Sequence, residues 1–310
     1  MPKIKCQTIS KIICIVFCVA IAISAPVLTF SRNKTEVQGD GKMTVLSVWQ
    51  IDSFEGGKGS RASYLQKIAN EFSEKYDCYL TVTALSADAA RMNLSGGTVP
   101  DIVSYGSGMH GLESHLKGKT PYKKWCNGGY CLLTLDENAD FSDATAQNTV
   151  VNSGVGNLVD VAVLFEGLNG AKKENPTGAY VKLINGGYKY LFGTQRDIFR
   201  LKTRGVPFSV KPVETFNDLY QLISVTSESA EKSVYANAFI DYLIQTVDAS
   251  ALGLMSEGKK LYPDELSVME GINYGYKLSV PVSAQTKEEI ERAAANCDEN
   301  KLKTLLKSLK

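Results

Sequence analysis

The chain is expected to fold as an α/β protein built from two lobes. Three observations predict it. Apolar strand runs alternate with amphipathic helices from residue 43 to residue 106; the loops after those strands are dense in polar side chains; and 310 residues at 44% hydrophobic can bury core enough for two units.

The first unit is residues 43–76, read as strand, abrupt loop and helix. Val45, Leu46 and Val48 form strands readily, and Leu65, Ile68, Phe72 and Tyr76 recur at helical spacing behind a Ser60 cap. In open α/β sheets a ligand sits where a strand ends and the next helix begins, so the region holding Trp49, Asp52, Phe54, Glu55, Lys58 and Arg61 is a candidate binding rim. Residues 79–85 alternate as a second strand, 86–95 read as a short helix stopped by Gly96 and Gly97, and 100–106 read as a third strand after Pro100. This β-α-β-α-β half is doubly wound, with its loops on one edge.

From 122 to 170 the signals turn to hairpins and short strands, with Gly154 and Gly156 as breakers and 158–165 strongly apolar. Residues 177–185 read as helix, 188–192 as strand, 194–201 as helix, and 205–213 and 218–225 as strands. A long helix covers 228–247, with Val234, Tyr235, Ala238, Phe239, Tyr242 and Leu243 as its apolar face. Residues 261–269 and 286–309 add further helix.

Thirty-four basic against 33 acidic side chains give a net charge of +1, and no basic stripe interleaved with aromatics is present, which disfavours nucleic acid as a partner. Lys3, Lys5 and Lys11 precede an apolar run over 12–30, followed by a polar segment. That pattern is an export signal or a single N-terminal membrane anchor. Cleavage after Ala22 or after Ala25 and an uncleaved span are all open, and each places the bulk of the chain outside the cytoplasm. Cys14 and Cys18 follow the large residues Ile13 and Phe17, a poor context for lipid attachment.

Of seven cysteines, Cys78, Cys126, Cys131 and Cys297 fall in the folded part. The run from Trp125 to Cys131 reads as a hairpin on an Asn127-Gly128 turn, which would bring Cys126 and Cys131 together as a disulfide or leave two free thiols. His110 and His115 upstream of that cysteine pair could complete a zinc set, but the order and the cysteine spacing are atypical, and no metal is expected.

The loop after the first strand lacks the spacing of a nucleotide phosphate cradle. Its glycines instead let backbone N–H groups approach a ligand. Arg61, in a first helical turn, opposes the helix dipole and needs a partner: Glu55, or an acidic or hydroxyl-rich ligand. Trp49 is either core or a flat platform for a sugar ring. Asp52 and Asp101 close turns or accept ligand hydroxyls. Thr194 and Asp197 are spaced nearly as a capping box, freeing Gln195 and Arg196 to face a cleft. No nucleophile–base signature occurs, so an enzyme is not expected and no cofactor is implied.

The segments VWQIDSFEGGKGSR, GGTVPDIVSYGSG, FGTQRDIFRL, FNDLYQLISV and AFIDYLIQ resemble bacterial extracellular solute-binding proteins of the maltose-binding-like class (family 1), which serve ABC importers. The resemblance implies a two-lobe, type II periplasmic-binding-protein-like fold whose lobes, joined by crossover strands, close on a carbohydrate or similar polar solute and deliver it to a permease. In that picture Trp49 and Trp125 stack on the ligand, Asp52, Glu55 and Asp101 accept hydroxyl hydrogen bonds, and Arg61, Gln195 and Arg196 donate. Residues 1–40 would be signal or anchor and linker, 41–120 with a return of about 226–310 the first lobe, and 121–225 the second, in a monomer. Such proteins are usually longer, and the shortening falls at 122–185, so the second lobe is expected to be reduced. The alternative is a membrane-tethered sensing or adhesion module on the same fold with no transport role.

Overall fold

The computed structural model describes residues 43–309 apart from 117, 120, 154–163, 165, 166, 258 and 260–262. The N-terminal apolar run, the expected breakers Gly154 and Gly156, and nearly all of the apolar stretch 158–165 lie outside the described residues. Among the described residues no helix is long and apolar enough to cross a membrane.

The first sheet begins as expected. Strand β1 (Thr44–Asp52) leads through a loop to α1 (Arg61–Ser73), then β2 (Cys78–Ser86), α2 (Ala87–Ser95), β3 (Ile102–Gly106) and a one-turn α3 (Glu113–Leu116). Ser60 and Ser86 cap α1 and α2, each Oγ accepting from the backbone N–H three residues on. Leu46 and Val48 face α1, whose Leu65, Ile68 and Phe72 are buried against them, while Trp49 and Ile51 point to the opposite face and its separate core.

Strand β4 (Lys123–Asn127) also belongs to that sheet, and β5 (Tyr130–Thr134) is already in a second one. The second sheet is completed by β6 (Thr149–Asn152), β7 (Lys172–Glu174), β8 (Tyr190–Thr194) and β9 (Ser209–Pro212), covered by α4 (Pro176–Ile184) and α5 (Gln195–Thr203). The chain returns through β10 (Phe216–Asn217) and β11 (Tyr220–Val225), continues into α6 (Ala230–Thr246) and β12 (Met255–Ser256), and ends with β13 (Tyr276–Lys277), α7 (Ala284–Ala295) and α8 (Glu299–Ser308).

The two sheets share a plan. The first has the order β12-β4-β11-β3-β1-β2, with β2, β1 and β3 parallel and β11 antiparallel beside β3. The second has the order β7-β6-β8-β5-β9, with β7, β6 and β8 parallel and β5 antiparallel beside β8. In both, the antiparallel strand next to the third parallel one belongs to a crossing between sheets. Among the described residues the second sheet is covered by two regular helices, α4 and α5.

Three expectations are corrected. The hairpin at 125–131 is a crossing: five residues of extended chain set Cys126 and Cys131 on the order of 15 Å apart, beyond disulfide reach, and both are free and buried. Asn-Gly chemistry suits a turn, but here the buried Gln195 side chain lies against Gly128, where a Cβ would displace it. The apolar face of α6 is rotated, burying Ala236, Phe239, Ile240 and Leu243 and leaving Val234 half exposed. The last helix is two, broken where Cys297 adopts φ 54°.

Candidate functional site

The carboxyl ends of the parallel strands in the two sheets meet beside the crossings. Gly128 N–H donates to Leu219 O at 2.8 Å and Val213 N–H to Tyr130 O at 3.0 Å, lashing the two connections together. Asn217 Nδ2 donates to Gly128 O at 2.9 Å and Tyr130 Oη to Asp218 Oδ1 at 2.7 Å. The Tyr130 ring stacks on Phe192 and Phe216, centroids 5.6 and 6.4 Å away, so one apolar core runs through the junction.

Strand β8 passes into α5 without a loop. Thr194 is the N-cap, and Thr194 and Asp197 form the expected capping box: Asp197 Oδ2 accepts from Thr194 N–H at 3.2 Å. Asp197 is fully buried, and burial raises its carboxyl despite the Thr194 amide, Arg200 and Asn152 around it. The cap aims the next two side chains at the first lobe. Gln195, also fully buried, accepts from Gly129 N–H at 3.0 Å and donates through Nε2 to Glu55 O at 3.0 Å. A Cβ on Gly128 would fall 2.6 Å from Gln195 Oε1, which explains the glycine.

Strand β1, in contrast, ends in a loop that reaches across to α5. Glu55 Oε1 accepts from Arg196 Nη1 and lies 3.9 Å from Arg200 Nη2, while its Oε2 is buried with no protein partner. Burial raises the Glu55 carboxyl; Arg196 pulls it back, Asp197 pushes it up again and Arg200 pulls it down. The loop is clamped just beyond. Lys58 N–H donates to Leu252 O at 2.7 Å, and a Cβ on Gly57 would fall 2.0 Å from Gly253 O. Gly253 itself has φ 64° and abuts the Phe199 ring, over which Lys58 Nζ sits at 5.2 Å.

Behind this loop, Arg61 is paired within the lobe. Its Nε bonds Asp52 Oδ1 at 2.8 Å, its Nη2 bonds Phe54 O at 2.5 Å, and its guanidinium lies 4.2 Å from the Phe54 ring centroid. The counter-ion that offsets the helix dipole is thus Asp52 rather than Glu55. Gln50 Nε2 also donates to Asp52 Oδ1, at 3.0 Å, and Gln221 Nε2 donates to Ile51 O at 3.2 Å. Gln50 Oε1, Gln221 Oε1, Ser53 Oγ and Arg61 Nη1 are buried without a protein partner, so the end of β1 is polar inside as well as at its rim.

Asp52, Glu55, Arg61, Gln195 and Arg196 therefore lie at the meeting edges, and three other expected site residues do not. Trp49 is 7% exposed and packs with Ile51, Tyr105 and Leu222 on the far face of the sheet. Trp125 is fully buried, donates Nε1–H to Ser104 Oγ at 3.0 Å and stacks on Tyr64. Neither indole has a face free for a ligand ring. Asp101 precedes β3 at the opposite edge, level with Ser47 and about 17 Å of strand from Asp52. There it accepts from Ser47 N–H, Ser227 Oγ and Lys232 Nζ at 2.9, 2.9 and 3.1 Å, a structural tie between β3 and α6.

Sequence reading passed over Arg200, Gln50 and Gln221. Arg200 was legible as the residue one turn after Arg196 on the same helix face, and Gln50 as the polar member of the Leu46, Val48, Gln50 alternation. Gln221 is brought in by the crossing and had no local signal. His110 and His115 form no metal group with Cys126 and Cys131, and none of three or more ligating side chains occurs among the described residues. Burial pushes the Cys126 thiol up to about 12 and raises the Cys131 thiol well above its ordinary value, so both stay protonated at neutral pH.

No protein-family model and no curated protein matches the chain. Solved structures do. The galacto-N-biose/lacto-N-biose I-binding protein of the ABC transporter from Bifidobacterium longum, in complex with lacto-N-biose, gives a TM-score of 0.57 at 12% identity, covering 86% of this chain and 97% of its own. Apo FutA2 from Synechocystis PCC6803 gives 0.54 at 11% identity, covering 85% and 99%. At this identity the likeness establishes the fold, the two-lobe type II arrangement of solute-binding proteins.

Proposed function

We propose that the chain is an extracytoplasmic solute-binding receptor of the maltose-binding-like class that hands a small polar solute, a carbohydrate or a relative of one, to an ABC permease. It works as a monomer, held at the membrane or exported by its N-terminal segment. The observation that carries this reading is the reach of one strand–loop–helix edge across to its counterpart: Glu55 of the first lobe against Gln195 and Arg196 of the second. Groups on two lobes that bond each other in the gap are groups that a solute between the lobes would bond instead. With both tryptophans in the core, Asp52, Glu55, Arg61, Gln195 and Arg196 are left as ligand residues, which favours polar recognition over ring stacking.

Thermal-shift screening of the purified full chain against sugars, polyols, amino acids and organic acids tests this, because a ligand bound only by the folded state raises the melting temperature. A saturable shift with at least one solute, lost in Gln195→Ala, is expected. A surface that gives none across the panel contradicts the receptor reading.

A further inference from the structure

The charges at the lobe junction do not balance without Glu55. Arg196 and Arg200 stand one turn apart on α5, and among the described residues Asp197 is the acid of their own lobe that pairs with them, bonding Arg200 Nη1 at 3.1 Å. Two guanidinium groups against one carboxylate leave one positive charge along a nine-residue helix, with Arg196 in its first turn and Arg200 one turn further on. Glu55 supplies the missing anion from the other lobe, and it fits incompletely. Its side chain is 10% exposed, yet Oε2 has no protein partner. Nearby, Asn152 donates to Asp197 Oδ2 at 3.2 Å but its Oδ1 is unpartnered, and Tyr180, whose ring lies 5.6 Å from the Arg200 guanidinium, has an unpartnered Oη. Beside Glu55 there is open space: a Cβ on Gly56 would meet nothing within 4 Å.

We propose that Glu55 holds the seat of the solute's own anionic group: the solute carries a carboxylate that Arg196 and Arg200 of α5 receive, and its arrival displaces Glu55 from the second lobe. This rests on the receptor reading and narrows it from polar solutes to acidic ones. Glu55 then keeps the empty receptor closed on itself, and a ligand carboxylate with both oxygens bonded replaces one with a single oxygen bonded. The burial that raises the Glu55 carboxyl makes it an occupant that leaves readily.

The test uses the full chain and propionate, which reproduces the Glu55 side chain beyond its Cα. Propionate is expected to raise the melting temperature of Glu55→Ala saturably, at a concentration at least tenfold below any effect on the wild type. It should do nothing for Glu55→Ala/Arg196→Ala, and propionamide should do nothing for any of them. Glu55→Gln, which keeps the side-chain shape, gives the same ranking should the alanine variant fold poorly. Equal propionate response in the single and double variants, or none in either, overturns the anion seat. A neutral sugar that stabilises the wild type and weakens in Glu55→Ala also overturns it, while leaving the receptor reading intact.

Discussion

Asp101 and Glu55 are two carboxylates at opposite edges of the same sheet, with side chains 11% and 10% exposed and each paired with a cation. Their environments nonetheless push them apart. For Asp101, burial alone would raise the carboxyl, but the Ser47 amide, Lys232 and Ser227 together hold it below the ordinary range. For Glu55, burial wins over Arg196 and Arg200, and the carboxyl is raised. All the partners of Asp101 come from its own lobe, whereas the charged partners of Glu55 come from the other. A buried carboxylate that is fully bonded holds a fold together; one that is half bonded, and only across a gap, marks a place where something else can bind.

The contrast predicts unequal costs. Asp101→Ala should lose roughly 2–3 kcal/mol in urea unfolding, because it strands Lys232 and two serines, the lysine being partly hydrated. Gly57→Ala should cost about 1–3 kcal/mol, since the added Cβ meets the rigid Gly253 backbone rather than a movable side chain; a Gly57→Ala protein with wild-type stability would mean that the loop does not press on that segment. Glu55→Gln should change global stability by less than about 1 kcal/mol, because Arg196 remains hydrated when the pair is broken.

The smallest effect is on pH dependence, and its sign differs between the two acids. The depressed carboxyl of Asp101 contributes stability above its unfolded value of about 3.9 and loses it as pH falls through the lower folded value. The gap between wild type and Asp101→Asn should therefore close in acid. The raised carboxyl of Glu55 works the other way, so wild type should gain on Glu55→Gln as pH falls from neutrality toward about 4. Parallel pH profiles for the two variants would remove the distinction.

Much of this was legible before any coordinates. Ser60, Ser86 and the Thr194–Asp197 pair announced their helices through local side-chain-to-backbone bonds, which depend only on neighbours in the chain. The strand, loop and helix over residues 44–73 were legible for the same reason. What failed were features set by distant partners. Asn127-Gly128 looks alike in a turn and in a crossing, and only Gln195 and Leu219 decide which it is. Trp49 and Trp125 carried no sign of the face they would take, and Asp101 sits at a strand start, an edge that the loop-after-strand rule does not reach. The partner of Arg61 was left open between Glu55 and a ligand; it is Asp52, and α5 claims Glu55.

In the proposed receptor Glu55 is the link that holds the solute-free lobes together. Spin labels on cysteines placed at Met92 of α2 and Val181 of α4, both exposed, in a background with Cys6, Cys14, Cys18 and Cys297 replaced by serine, report the distance between lobes by pulsed electron resonance. One short distance is predicted for the otherwise wild-type chain, and Glu55→Ala should add a population several ångströms longer, on the order of hinge opening in two-lobe proteins. Identical distance distributions with and without Glu55 would contradict it.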